Sequence, residues 1–195
     1  TDWKYTNRWF ARDNPIFLFR NQTFDNLFWT YVSAVPIWTA FEAVTMWLYA
    51  NQFIPYVAPQ EHPIYFVVMM LLVPLMRETH FYLIHRLIHW GPLYRWVHYL
   101  HHNNVDPGPV SGLAMHPVEH LLYWTGVMIH WVIPSHPIHA LFHTQHAAIT
   151  PAQGHAGFER VVLSDGMHVK TGDFFHYLHH KYFECNYGGD GPVNL

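Results

Sequence analysis

Charged side chains are scarce in this sequence. Asp, Glu, Lys and Arg account for only 12% of its 195 residues, whereas about 25% is usual in a soluble domain. Hydrophobic residues make up 51% of the chain and aromatic residues 18%. This shortage of charge predicts a lipid environment, and the length suits one domain.

Several other absences exclude whole classes of protein. The single cysteine, Cys185, excludes an internal disulfide and a cysteine-rich metal site. The basic residues form no run and the formal net charge is −3, which together exclude a strongly basic nucleic-acid interface. No flavin, haem or iron–sulfur motif and no cleavable signal peptide is visible. The chain starts without Met and ends abruptly, so we expect it to be a segment with an incomplete C-terminus.

Histidine, in contrast, is abundant, and nine of the 19 histidines follow a recurring spacing. They form one H-x4-H pair, two H-x2-H-H clusters and one Gly-His-Ala-Gly site: His80, His85, His98, His101, His102, His155, His176, His179 and His180. Helix positions i, i+3 and i+4 share a face, so each H-x2-H-H is predicted to point three imidazoles in one direction. Imidazole is a common ligand of iron, copper, nickel and zinc. Nine ligands are too many for one ion and suit two ions with about four or five each.

Four further residues are candidates for supporting these ligands. His80 and His85 lie about 140° apart on an ideal helix, so they can reach two different ions. His89 follows His85 by four residues and shares its face, which makes it a candidate extra ligand or orienting group. The other candidates for orienting a ligand are His116, Glu119 and Glu159. Glu159 would share a helical face with His155, and the alternative for this side chain is a solvated surface charge.

Long apolar segments separate the histidine clusters. Residues 27–50 carry Glu42 as their only charge and are long enough for a membrane span of roughly 20 residues. We interpret Glu42 as a polar contact inside a helix bundle. Residues 63–84 and 113–133 are similar, and residues 137–152 form a weaker fourth segment.

The basic residues predict a topology. They flank the histidine clusters, whereas loops 51–62 and 134–138 contain none, so the metal site is expected on the cytoplasmic side. The predicted fold class is therefore an all-α integral membrane protein with helical hairpins, about four membrane helices and a cytosolic helical cap that carries a histidine-rich di-metal site. Residues 1–26 are expected to form an interfacial segment, and residues 27–195 the membrane domain with its cap.

Several motifs recur in a known order across roughly residues 60–195. They are His85-Arg86-Leu87-Ile88-His89, Leu93-Tyr94-Arg95, the first H-x2-H-H, Met115-His116-Pro117-Val118-Glu119, Gly154-His155-Ala156-Gly157, and the second H-x2-H-H with Asn186-Tyr187-Gly188. In this order they resemble the fatty acid hydroxylase/sterol desaturase superfamily, and above all its sterol desaturase and methyl sterol oxidase branch.

This resemblance implies a membrane-bound di-iron enzyme of the endoplasmic reticulum or of a bacterial inner membrane. Such an enzyme uses O2 to hydroxylate or desaturate a lipid, either sterol-like or fatty acyl. It implies electrons from a donor such as cytochrome b5 or a ferredoxin with its reductase. It also implies two iron ions held by the nine histidines of the recurring spacing, called the coded histidines below. Zinc can substitute for the iron in a purified sample, and no catalytic residue beyond the metal ligands is implied.

Two other functions fit the sequence. One is a non-catalytic family member that serves as a structural subunit of a membrane complex, although all nine coded histidines are present. The other is a metal-handling membrane protein, such as a transporter or a zinc store. Transporters place their ligands near the middle of the membrane, whereas the clusters here lie beside basic residues at the predicted helix ends, which argues against transport.

Overall fold

The computed structural model describes residues 5, 8, 10–170 and 174–189. Helices dominate this part of the chain. In order, the elements are α1 (Gln22–Trp29), a first π-helical turn (Thr30–Ala34), α2 (Val35–Ala50), α3 (Pro63–Ile88), α4 (Gly91–Leu93), a second π-helical turn (Tyr94–His98), α5 (Tyr99–His102), a first 3₁₀ helix (Pro109–Ser111), α6 (Pro117–Trp124), a second 3₁₀ helix (Thr125–Trp131), α7 (Pro137–Gly154), β1 (Arg160–Ser164), β2 (Met167–Lys170) and α8 (Phe174–Tyr182).

The sequence marks the starts of these helices. Asn21 caps α1 by accepting hydrogen bonds from the backbone N–H groups of Thr23 and Phe24, as expected for an asparagine at this position. Helices α3, α6 and α7 each begin with a proline, whose fixed φ and missing N–H suit the first helical position. The imidazoles of His116 and His136 cap α6 and α7.

The core lies where α2, α6 and α7 meet. Tyr123, Trp124 and Ala147 form its buried centre, and the Trp38 and Trp124 rings stack with centroids 5.5 Å apart. Glu42 accepts hydrogen bonds from Trp38 Nε1 and from side chains of α7. Glu42 is therefore a polar contact between helices, as the sequence predicted.

One helix in the described part of the chain, α3, is long and apolar enough to cross a membrane. Its outer face exposes large apolar side chains, with Ile64 80% and Leu71 73% exposed. The other three predicted spans are not confirmed. Residues 27–50 lie in a helical run formed by α1, the first π-helical turn and α2, of which α2 has 16 residues. The 113–133 segment divides between α6 and the second 3₁₀ helix, and α7 includes three histidines.

A β-hairpin interrupts the predicted all-α fold. Strands β1 and β2 pair antiparallel, with Val161 opposite Val169 and Val162 opposite His168, and every residue of β1 is exposed. Gly166 has φ of 80° in the connecting turn, a conformation that suits glycine. The run Val161–Leu163 before a turn that contains glycine is a strand signal that sequence reasoning missed.

The start of α1 packs against the loop after α5. Gln22 is 2% exposed, and its Nε2 donates to Asn104 Oδ1 and to the Asp106 carbonyl, both at 3.0 Å. These contacts fix the start of α1 to the loop after α5. The predicted interfacial role of residues 1–26 stays a prediction, since residues 1–4, 6, 7 and 9 lie outside the described residues.

Candidate metal centre

Nine histidines from distant stretches of the chain converge into two adjoining groups. The five-histidine group contains His85, His89, His98, His102 and His179, and the four-histidine group contains His101, His155, His176 and His180. Within each group, the candidate ligand nitrogens all lie within 4.8 Å of one another. The rings of His102 and His180, one from each group, have centroids only 4.9 Å apart.

Each H-x2-H-H cluster serves both groups, contrary to the prediction of a single direction. His98 and His102 join the five-histidine group, while His101 joins the other. The second cluster divides the opposite way, because His176 and His180 pair while His179 crosses over. Positions i and i+4 lie about 40° apart on a helix, but i+3 and i+4 lie about 100° apart. The middle histidine of each cluster therefore points to the neighbouring group.

The second π-helical turn lies directly before the first cluster. It ends at His98 and runs into α5, so the cluster straddles a change in helical winding. Such π-helical insertions occur frequently at functional sites. Here the turn sets the direction in which His98, His101 and His102 leave the backbone.

Backbone carbonyls determine which nitrogen carries the proton in the five-histidine group. His85 Nδ1 lies 2.6 Å from the Tyr187 carbonyl and His179 Nδ1 lies 2.5 Å from the Cys185 carbonyl. A carbonyl can only accept a hydrogen bond, so each Nδ1 must be the donor. In a neutral imidazole, Nε2 is then unprotonated and carries a free lone pair.

These lone pairs face one another. The Nε2 of His98 lies 3.1 Å from the Nε2 atoms of both His85 and His102. The Nε2 of His179 lies 3.1 Å from those of His102 and His89. The tautomers of His85 and His179 direct their Nε2 lone pairs into this cluster of ring nitrogens, where they are available to a cation. The donor set therefore fits a metal ion.

The four-histidine group has the same design. His101 Nδ1 lies 3.3 Å from the Ala114 carbonyl. His155 Nδ1 lies 2.8 Å from Ser111 Oγ, whose own proton is donated to the Gly108 carbonyl. The Nε2 atoms of His155 and His176 are 2.8 Å apart. Among the described residues, neither ring nitrogen of the buried His180 has a hydrogen-bond partner, although buried polar atoms are nearly always partnered.

Glu119 supports the five-histidine group from α6. Its Oε1 lies 2.8 Å from His98 Nδ1, and both side chains are almost fully buried. A carboxylate behind a ligand imidazole fixes the ring orientation and raises its basicity toward a metal. The sequence-based expectation that Glu119 orients a ligand therefore has a specific partner, His98.

Burial keeps these imidazoles neutral. Desolvation lowers the pKa of His89 and His101 to about 3 and that of His179 to about 4. It also lowers the pKa values of His98, His102, His155, His176 and His180 well below the ordinary value, with neighbouring imidazoles adding to the effect. Neutral imidazole is the form that binds a metal.

Acidification is expected to destabilise the protein and to release its metal. The pKa values of His89, His101 and His179 lie below the unfolded value of 6.5, so the unfolded chain binds more protons in this window. The stability that these neutral histidines contribute is therefore fully present above pH 6.5 and is lost as the pH falls toward 4. Denaturant titrations at pH 7.5 and pH 5, with metal content measured in parallel, should give a lower midpoint and less metal at pH 5. An unchanged or higher midpoint would contradict this prediction.

The structure brings eight of the nine coded histidines together and adds His89. His80 lies in neither group, and its Nε2 is 3.0 Å from Thr125 Oγ1. The five-residue spacing from His85 turns His80 to another side of α3, whereas the four-residue spacing brings His89 onto the face of His85. The five-histidine group therefore contains His89 and not His80. The spacing had predicted His80 as a ligand and His89 only as an extra candidate.

The other two supporting candidates lie elsewhere. His116 caps α6, with its Nδ1 accepting from the Val118 N–H at 3.2 Å. Glu159 is exposed. Its predicted alignment with His155 required a continuous helix, but α7 ends at Gly154. The structure therefore corrects this expectation and favours the alternative of a solvated charge for Glu159.

The carbonyls that orient His85 and His179 were missed from the sequence. Phe183 and Asn186 have φ values of 65° and 52°, which turn the chain back after α8. The Arg86 guanidinium lies 4.5 Å from the centroid of the Tyr187 ring, a cation–π contact that helps to hold this segment in place. The motif Asn186-Tyr187-Gly188 was the available signal, because asparagine is enriched at positive φ.

A small cavity adjoins the four-histidine group. Phe81, Met115 and Pro151 form apolar parts of its wall, and His101, His155 and His176 also line it. Gly112 closes another side, where a Cβ atom would lie 2.5 Å from the Pro151 backbone. The close approach of the first 3₁₀ helix to α7 therefore requires glycine at this position.

These features define a predominantly helical protein with a histidine-rich metal centre and a helix suited to a membrane. The chain belongs to the family described as Fatty acid hydroxylase, which matches residues 66–193. This match confirms the resemblance to the fatty acid hydroxylase/sterol desaturase superfamily.

Curated relatives are sterol-modifying proteins. The chain is 30% identical to the C-4 methylsterol oxidase of Schizosaccharomyces pombe over 57% of its length, which is 40% of that relative. It is 31% identical to the Delta(7)-sterol 5(6)-desaturase of Candida glabrata over 55% of its length, which is 29% of that relative. The alignments thus span less than half of either relative. No solved structure matches the chain.

Proposed function

We propose that this protein is a membrane-bound di-iron oxidoreductase that uses O2 and external electrons to hydroxylate or desaturate a lipid, sterol-like or fatty acyl. The observation that carries the proposal is the pair of adjoining histidine groups with inward-facing Nε2 lone pairs. The named activities of the relatives, a methylsterol oxidase and a sterol desaturase, support it. Because the histidine groups are intact and the named relatives are enzymes, a purely structural subunit is not favoured.

The proposed ligands are the nine grouped histidines, with one iron in each group. Imidazole suits iron, and zinc competes well for nitrogen ligands, so zinc can occupy the site in a purified sample. Iron bound there would supply the activation of O2 and the oxidation of an unactivated C–H bond. The adjacency of the His102 and His180 rings supports a site in which the two groups act together.

The protein's own groups have three tasks in this reaction. The Cys185 and Tyr187 carbonyls and Ser111 hold the imidazoles in the tautomer that offers Nε2 to the metal. Glu119 holds His98 from behind. Burial of the histidines excludes bulk water, which protects a reactive centre from side reactions.

The lipid would reach the centre through the apolar cavity beside the four-histidine group. Phe81 and Met115 line that cavity, and the exposed apolar face of α3 suits contact with a bilayer. Basic residues beside the clusters favour a metal site on the cytoplasmic side. There an electron donor such as cytochrome b5, or a ferredoxin with its reductase, would dock.

Metal analysis combined with a lipid oxidation assay tests this proposal. The full chain, purified from membranes and loaded with ferrous iron anaerobically, should contain two irons. It should then oxidise a 4-methylsterol or another sterol only with both O2 and a reductant present. Zinc-loaded protein is the matched control and should give no product. Iron-loaded protein that forms no oxidised lipid from sterol or fatty acyl substrates would overturn the proposal.

A further inference from the structure

A second set of histidines lies inside the helix bundle, away from the metal centre. His130 and His139 are fully buried and His143 is 3% exposed, yet none belongs to either metal group. They occupy the second 3₁₀ helix and α7. Ionisable residues inside a membrane bundle are costly, and where they occur they often form proton relays.

Some of these groups form a continuous hydrogen-bonded chain. Tyr49 Oη lies 2.6 Å from Ser135 Oγ, and Ser135 Oγ lies 3.1 Å from His130 Nδ1. His130 Nε2 in turn lies 3.1 Å from His143 Nδ1. The chain runs inward from Ser135, which lies between the second 3₁₀ helix and α7 at the end of the bundle where α3 begins.

The inner end of this chain opens into a small cavity. His143 lines this space together with His80, Arg77 and Phe81, and the space has room for roughly one water molecule. Arg77 and Phe81 also line the larger cavity that reaches His101, His155 and His176. The two cavities therefore share Arg77 and Phe81 in their walls.

Arg77 lies in the walls of both cavities. The residue is 6% exposed and is held by Glu78 and by Tyr123 Oη. Among the described residues, its Nε has no hydrogen-bond partner, and such a buried donor normally binds a water or a ligand. Arginine does not release its proton, so its role here would be to orient water and not to carry the proton.

We propose that Ser135, His130 and His143, continued by water in the two cavities, form a proton path from the far end of the bundle to the metal centre. This inference rests on the proposed function. Hydroxylation of R–H consumes one O2, two electrons from the external donor and two protons, and yields R–OH and H2O. Desaturation consumes the same reagents and yields an alkene and two H2O. Either reaction therefore needs two protons per turnover at a centre shielded from water.

The chemistry of each member suits the path. An imidazole accepts a proton at one nitrogen and donates from the other. A serine hydroxyl both accepts and donates. Five of the grouped histidines cannot serve in this way, because a carbonyl, Ser111 or Glu119 holds each Nδ1 atom and each Nε2 atom faces the proposed metals. They are His85, His98, His101, His155 and His179.

His139 provides a matched control on the same helix. Its Nδ1 accepts from the His136 backbone N–H at 3.0 Å, and its Nε2 donates to the Phe66 carbonyl at 2.9 Å. Both nitrogens are thus occupied by backbone groups, and His139 is not part of the chain. His143→Gln and His139→Gln remove equivalent buried imidazoles, but only the first interrupts the proposed path.

The test uses the iron-loaded full chain in phosphatidylcholine vesicles, reduced and then mixed with O2. A pH dye trapped on one side reports the side from which protons are taken up. We expect uptake from the Ser135 side, and His143→Gln should slow it roughly tenfold or more while iron content stays unchanged. Ser135→Ala, which is remote from the metal, should slow uptake similarly, and His139→Gln should match the wild type.

The possible failures are distinguishable. Wild-type protein that binds iron but does not react with O2 overturns the proposed function together with the path. A normal O2 reaction with equal proton uptake in the wild type, His143→Gln and Ser135→Ala overturns the path alone. Uptake only from the side of the histidine groups does the same.

Discussion

His179→Ala is expected to remove most of the iron from the five-histidine group and to abolish O2-dependent lipid oxidation. His179 Nε2 lies 3.1 Å from the Nε2 atoms of both His102 and His89, so it is central to the group. Its Nδ1 is also held by the Cys185 carbonyl. Since loss of a group that only orients a ligand costs 10–100-fold, loss of the ligand itself should cost at least about 100-fold in activity.

His101→Ala should have the same effect through the other group. His101 is the histidine of the first H-x2-H-H cluster that crosses to the four-histidine group, so its loss leaves only three imidazoles there. Iron per chain and product formation should fall together in both variants. His168→Ala, on the exposed strand β2, is the control and should keep wild-type iron and activity. Full activity in either His179→Ala or His101→Ala would contradict the assignment of the site.

The convergence of the histidines was predictable because it depends on local periodicity. Spacings of three and four residues place side chains on neighbouring parts of a helix surface, whatever the rest of the fold does. The division of each cluster between two groups was not predictable in the same way. It depends on how α5 and α8 lie against each other, and on the π-helical turn that ends at His98.

The groups that orient the imidazoles depend on contacts between residues distant in sequence. The Tyr187 carbonyl meets His85 across 102 residues, and Ser111 meets His155 across 44. A backbone carbonyl is present at every position, so the Asn186-Tyr187-Gly188 motif indicates a turn but not which carbonyl meets which imidazole. Only the path of the chain after α8, with its positive φ at Phe183 and Asn186, brings these carbonyls to the ligands.

The number of membrane helices was less predictable than the histidine site. Apolar composition does not distinguish a helix that faces lipid from one that faces other helices. The 113–133 segment is apolar, but it divides between α6 and the second 3₁₀ helix, and Val127 and His130 are buried within the bundle. Helix α3 differs because its apolar side chains stay exposed along its length.

His89→Ala should lower metal binding and His80→Ala should leave it unchanged, although the H-x4-H spacing predicts His80 as the ligand. His89 Nε2 lies 3.1 Å from His179 Nε2 and 3.2 Å from His102 Nε2, so His89→Ala removes a lone pair from the five-histidine group and should lower both iron content and activity by about tenfold or more. His80 instead contacts Thr125 Oγ1, so His80→Ala should lose about 1 kcal/mol of stability and keep its iron. Iron titration of the two purified variants, with thermal unfolding as the control for folding, measures the difference. Loss of iron in His80→Ala with full retention in His89→Ala would restore the ligand set that the H-x4-H spacing predicts and would exclude His89 as a ligand.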